Sequence, residues 1–180
     1  FDDGIYRIRK CKSGNILFNI KDRFVSKSLD FYGEFSPGAN IGVHTLDYSR
    51  FVGNKGVVYA FEPQPIVFNT LCTNLLLNDV SNVQKYQLGL GKEEKTFFTI
   101  DLDDKEEQNI GGVSLFDPLE QKINKEHLGM KGTFFLDGDS WKGSFIEVEV
   151  ATIDSLNLKQ CNFIKIDVEG MEQDVLQGAK

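Results

Sequence analysis

The sequence is short of cysteine, has no long apolar run and carries no basic excess, and each shortage removes a class of function. Its three cysteines, Cys11, Cys72 and Cys161, are odd in number and widely separated, with no Cys-x-x-Cys pair. That makes a poor disulfide framework and a poor zinc site, so reduced thiols in a cytoplasmic protein are expected. No apolar run is long enough to span a bilayer, and the start lacks the basic-then-apolar form of a signal peptide. The formal net charge of −7 argues against a general affinity for nucleic acid or an anionic membrane. One basic stretch, Arg7-Ile8-Arg9-Lys10-Cys11-Lys12, runs against that balance and reads as the solvated face of a hairpin. Internal repeats and low-complexity tracts are absent too. The chain begins at Phe1 rather than Met, which suits a fragment, a processed product or a trimmed protein.

What is present is material for a core. A length of 180 residues, a hydrophobic fraction of 41% and fifteen phenylalanines describe a single globular domain, residues 1–180. Ile5 to Cys11 and Ile16 to Ile20 flank the turn Lys12-Ser13-Gly14-Asn15 and predict a β-hairpin. Residues 1–37 form this hairpin and a lead-in with no steady period. From there the pattern becomes regular: a helix over 41–51, a turn at 53–56 and a strand over 57–61. A helix over 65–77 follows, with Val67, Leu71 and Leu75 inward, then a strand over 83–90. A strand is expected at 95–102, and residues 103–144 read as an irregular insertion or lid. Strands at 144–153 and 162–167 and a helix at 170–177, with Met171, Val175 and Leu176 inward, complete the chain. Alternating strands and helices predict a parallel α/β sheet whose strand ends share one edge.

Three features should meet at that edge. Gly38-Ala39-Asn40-Ile41-Gly42 is a glycine loop before a helix, where tight turns and free N–H groups suit an anion. What precedes it, Phe31-Tyr32-Gly33-Glu34-Phe35-Ser36-Pro37, carries glycine, glutamate and proline where a buried strand should run. Glu62 follows one helix, one turn and one strand later, placed to accept both ribose hydroxyls of an adenosine. A surface glutamate before a proline turn is the plainer alternative. A dinucleotide loop runs Gly-x-Gly-x-x-Gly. Here Asn40 replaces the middle glycine, Gly42 comes one position early and Val43 follows, a spacing better suited to S-adenosylmethionine than to NAD. The third feature is Asp167, ending a strand, with Glu169 two residues on. Either carboxylate can act as a base, orient a substrate hydroxyl or balance a sulfonium charge. Glu169, Glu172 and Asp174 equally suit a helix N-terminus.

"GANIGVHTL", "GVVYAFEPQPIVFNTLCTNLLLND", "VATIDSL" and "FIKIDVEGMEQDVLQGA" together resemble the FkbM-type family of S-adenosylmethionine-dependent methyltransferases over roughly residues 38–180. "KDRFVSKSLDFYGEFS" is similar to that family's lead-in. The resemblance implies a Rossmann-like class I methyltransferase sheet with helices on both faces, and O-methylation of a hydroxyl on a sugar or small metabolite. It further implies that Gly38, Ala39, Asn40, Gly42 and Glu62 bind the cofactor. Against the family pattern, the helix and apolar strand before "GANIG" are missing, Ser36 stands at the acidic position, and the C-terminal strands have no counterpart. An incomplete fold preceded by a hairpin is therefore the expectation.

The remaining candidates are weaker. His44 sits near the loop, as a packed side chain, as a contact to the cofactor's carboxylate or as a base. His127 lies in the irregular middle, and Asn109-Ile110-Gly111-Gly112-Val113-Ser114 resembles a family loop bordering the active site. Asp154 is expected to cap a short helix. A metal site from Asp154, Asp167 and Glu169 has no supporting spacing, so none is expected. An inactive methyltransferase-derived interaction domain, pairing as a homo-oligomer across an exposed sheet edge, is the first alternative. A nicotinamide-dependent oxidoreductase is the second.

Overall fold

The computed structural model describes residues 4–22, 39–102, 105, 109, 110, 112–115, 117, 126, 128–136 and 139–180. Gly38, Gly111, His127 and the segment before the glycine loop, including the question of its missing strand, lie outside them.

Hairpin strands β1 (Tyr6–Cys11) and β2 (Gly14–Asn19) pair antiparallel. Alternation turns Ile16 and Phe18 inward, both fully buried. Helix α1 (Val43–Val52) follows the loop, and β3 (Val58–Phe61) follows α1. Helix α2 (Pro65–Leu77) starts with proline at its first position, where the missing N–H costs nothing. Its Val67, Leu71 and Leu75 are buried as their spacing predicts. Strand β4 (Val83–Tyr86) then pairs parallel with β3, as expected of a strand–helix–strand unit.

Hairpin and helices are bolted together by Asn74, a wholly buried polar side chain on α2. Its Oδ1 accepts from the Leu17 N–H at 2.6 Å, and its Nδ2 donates to the Leu17 carbonyl at 3.0 Å and the Ile41 carbonyl at 2.8 Å. One amide thus completes the inner edge of β2 and fixes the chain just before α1. Asn78 does the same for Asn15, with its amide donating to the Asn15 carbonyl at 2.7 Å, but in the open.

The third sheet, of four strands, is mixed. The stretch read as one strand over 83–90 breaks after Tyr86, and β5 (Gly89–Leu90) pairs parallel with β8 (Asp139–Ala151). Strands β6 (Lys95–Leu102) and β7 (Lys131–Leu136) flank β8 antiparallel. The expectation of an irregular segment through 144 is corrected here, because its last part is a β-hairpin. β8 also starts five residues before the predicted strand; Gly143 lies so close to the Asp101 carbonyl that a Cβ would clash at 2.2 Å, so glycine there permits pairing.

Three further expectations are corrected. Residues 162–167 form no strand: among the described residues nothing pairs with them, and Phe163 and Ile164 are 69% and 43% exposed. An apolar, β-branched run has strand propensity, but a strand exists only when a neighbour takes its backbone groups. Amide hydrogen exchange should therefore be fast at 163–166 and slow at Ile146 and Val148 of β8, as measured by mass spectrometry. Slow exchange at 163–166 would place a strand beside them. Next, helix α3 (Glu172–Gln177) buries Val175 but leaves Leu176 59% exposed. Finally, Asp154 does not cap the short 3-10 turn Asp154–Leu156; Thr152 Oγ1 accepts from the Ser155 N–H at 3.0 Å. The Asp154 carboxylate instead accepts from the Lys180 N–H at 3.0 and 3.1 Å. The described residues give a mixed α/β fold, and no helix among them is long and apolar enough to cross a membrane.

Candidate functional site

A cavity opens where the glycine loop, the C-terminal tip of β3 and the turn before α3 converge. Ala39, Asn40, Glu62, Gln64, Asp167 and Glu169 give it its polar groups. Phe61, Leu88, Leu90, Ile110, Val113 and Leu115 supply apolar walls.

Glu62 continues β3, its N–H donating to the Tyr86 carbonyl at 3.1 Å across to β4. Pro63 then stops the strand and aims the chain into α2. The Gln64 N–H donates to Glu62 Oε1 at 2.9 Å, and the Asn40 N–H also bonds the carboxylate. Burial outweighs these two amides and pushes the Glu62 carboxyl up to about 7.

Asn40 has φ 39°, and its Oδ1 accepts from the Ile41 N–H at 2.7 Å. Asparagine tolerates this left-handed backbone through such local bonding, so it serves where a dinucleotide loop would place glycine. Gly42 does not line the cavity. Its φ is 96°, and a Cβ there would meet Leu71 Cδ1 at 2.7 Å, so glycine is required for the turn into α1 and for its approach to α2.

On the far side, Glu169 (φ 48°) and Gly170 (φ 98°) make a left-handed turn. Glu172 holds it, Oε1 accepting from the Val168 N–H at 3.2 Å and the Gly170 N–H at 3.4 Å. Backbone N–H groups, its own first, lower the Glu172 carboxyl. Burial, then Asp167 and Glu172, raises the Glu169 carboxyl. Asp167 pairs with Lys165 Nζ at 3.1 Å. His44 does not line the cavity; it stacks on Tyr48 with centroids 5.9 Å apart, and burial, then Lys165, lowers its pKa. Among the described residues no cluster of His, Cys, Asp or Glu is arranged to hold a metal ion.

Sequence reasoning missed a chain of polar groups that crosses behind the cavity. Gln64 Nε2 donates to Thr99 Oγ1 at 2.8 Å, Thr99 Oγ1 to the Ser114 carbonyl at 3.4 Å, and Ser114 Oγ to the Glu169 carbonyl at 3.3 Å. Gln64 Oε1 is buried without a partner. No local pattern marks this chain, since its members lie 15 to 55 residues apart.

Residues 37–180 match the model of the methyltransferase FkbM domain. "Methyltransferase 1" of Beauveria bassiana (strain ARSEF 2860) is 32% identical over 157 residues, covering 78% of this chain and 55% of that protein. "Methyltransferase sdnD" of Sordaria araneosa is 30% identical over 159 residues, covering 78% of this chain and 58% of that protein. The chain thus spans just over half the length of these relatives. No solved structure matches it. By the family match and the identity to these relatives, the chain belongs to the FkbM methyltransferase family.

Proposed function

We propose that this domain is an S-adenosylmethionine-dependent O-methyltransferase, acting on a hydroxyl of a sugar or small metabolite, with a Rossmann-like arrangement around the cavity. The observation that carries the reading is the charge of the cavity. Its ionisable lining residues are all acidic, Glu62, Asp167 and Glu169, with no lysine or arginine among those described. Even with Asp167 paired to Lys165, a lining of carboxylates suits a cationic sulfonium better than the pyrophosphate of a nicotinamide dinucleotide. The membership of the chain in a methyltransferase family points the same way.

The residues fit that cofactor. Glu62, held by the Asn40 and Gln64 amides, is an acceptor at the strand tip for the two ribose hydroxyls. The walls built from Phe61, Leu88 and Leu90 suit a flat base. When bound, the cofactor supplies an electrophilic methyl group on sulfur. Asp167 and Glu169 orient the acceptor hydroxyl and take its proton, and burial raises the Glu169 carboxyl.

Transfer of labelled methyl from S-adenosylmethionine to a panel of glycans and hydroxylated metabolites tests the reading. Turnover is expected with at least one acceptor, and Asp167→Asn or Glu169→Gln should slow it about 100-fold or more, the usual worth of a positioned acid–base group. Turnover that survives both substitutions would remove the carboxylates from the chemistry. Absence of transfer to every acceptor, with cofactor bound, would favour the interaction-domain alternative.

A further inference from the structure

Asp22 stands at the foot of the N-terminal hairpin and is only 3% exposed. It lies outside the cavity, yet its Oδ1 accepts from the Ile110 N–H at 3.1 Å, a buried bond between residues 88 apart in sequence. Ile110 is 6% exposed and Val113 8%; with Leu115 they form one apolar wall of the cavity. A turn closed by the Gly112 N–H on the Asn109 carbonyl at 3.2 Å shapes this loop. A Cβ on Gly112 would lie 2.1 Å from Asn109 Nδ2, so the turn admits no larger residue without a shift. Downstream, Ser114 ties the same loop to Glu169 and Thr99. The loop is thus fastened at its far end to the carboxylate turn and at its near end to the hairpin. The hairpin itself is fixed to α2 by Asn74.

We propose that Asp22 is a positioning residue for the cofactor site, holding the wall formed by Ile110, Val113 and Leu115 in its binding-competent place. The inference rests on the adenosyl-cofactor reading given above. A carboxylate holds a buried N–H more strongly than a neutral acceptor does, and both residues here are almost wholly buried. Without it the loop opens more often, and affinity falls by the fraction of molecules in which the wall is in place.

The test measures S-adenosylhomocysteine binding by calorimetry on the whole chain, with exchange at the Ile110 amide followed in parallel. Asp22→Ala should weaken binding about tenfold and speed Ile110 exchange by a similar factor, as loss of one charge-assisted hydrogen bond implies. Asp22→Asn keeps an acceptor oxygen and should bind within about threefold of wild type, a rescue that general destabilisation would not give. Equal affinity in wild type and Asp22→Ala overturns the proposal, as does weaker binding with Ile110 exchange unchanged. Should Asp22→Ala not fold, the wild type decides: S-adenosylhomocysteine should slow Ile110 exchange, and no change overturns the proposal. If wild type binds no S-adenosylhomocysteine, the cofactor reading fails. Ile110 exchange in Asp22→Ala or Asp22→Asn then still shows whether the tether exists.

Discussion

Replacing Asn74 with alanine should lower the melting temperature by roughly 10 °C, following a loss of about 3–5 kcal/mol at 2–4 °C per kcal/mol for a chain of this size. The substitution leaves the Leu17 N–H and the Leu17 and Ile41 carbonyls without their partner around a position that is itself wholly buried. Each stranded group costs about 1–3 kcal/mol, and the vacated volume adds to that. Asn74→Asp should be no better, since it keeps the acceptor but removes both donors and introduces a buried charge. Asn78→Ala is the control. Its bonds to Asn15 are exposed, so water replaces them and the loss should stay near 1 kcal/mol. Thermal denaturation followed by circular dichroism distinguishes the two. Equal shifts for Asn74→Ala and Asn78→Ala would mean that the hairpin is not anchored through a buried amide.

Glu62→Gln should have opposite effects on stability and on cofactor affinity. The Glu62 carboxyl titrates at about 7 in the folded protein against an ordinary value of 4.5. The folded state therefore holds its proton over a range in which the unfolded chain has lost it. Stability is fully present below about pH 4.5 and falls as pH rises through about 7, by roughly 3 kcal/mol from this group alone. Glutamine has no such titration, so the variant should lose less stability than wild type across that window. Its melting temperature at pH 8 should be higher. Affinity runs the other way. The ionised carboxylate is the form that accepts both ribose hydroxyls, so wild-type binding should strengthen as pH rises and level off above about 7. Glutamine lacks one acceptor, and binding at pH 8 should weaken roughly 10- to 100-fold. Binding that does not change with pH between 5.5 and 8 would remove Glu62 from the contact.

The elements legible in the sequence are those whose evidence is local. Helix α2 and strand β6 run over the residues expected of them, and the buried Val67, Leu71 and Leu75 on the one, and Phe98, Ile100 and Leu102 on the other, lie within one segment each. The glycine loop, Glu62 and the Asp167–Glu169 turn stand out in the sequence as candidates, and the fold brings Asn40, Glu62, Asp167 and Glu169 to one cavity. What was not legible depends on partners. The run 162–167 has the composition of a strand, but composition does not supply the neighbour that would pair with it. Strand β7 and the start of β8 were hidden by glycines and by the lack of clean alternation, and are made by each other. Asn74 left a signal that sequence reasoning passed over: a polar residue three positions after Leu71, on the stripe that must face inward. Asp22 left none, since its partner lies 88 residues away.

Titration calorimetry of this chain with S-adenosylhomocysteine at pH 8, repeated on Glu62→Gln, tests the account at its centre. Saturable binding at one site, weakened at least roughly tenfold by the substitution, is the predicted result. No binding by wild type, or equal binding by both proteins, would contradict it.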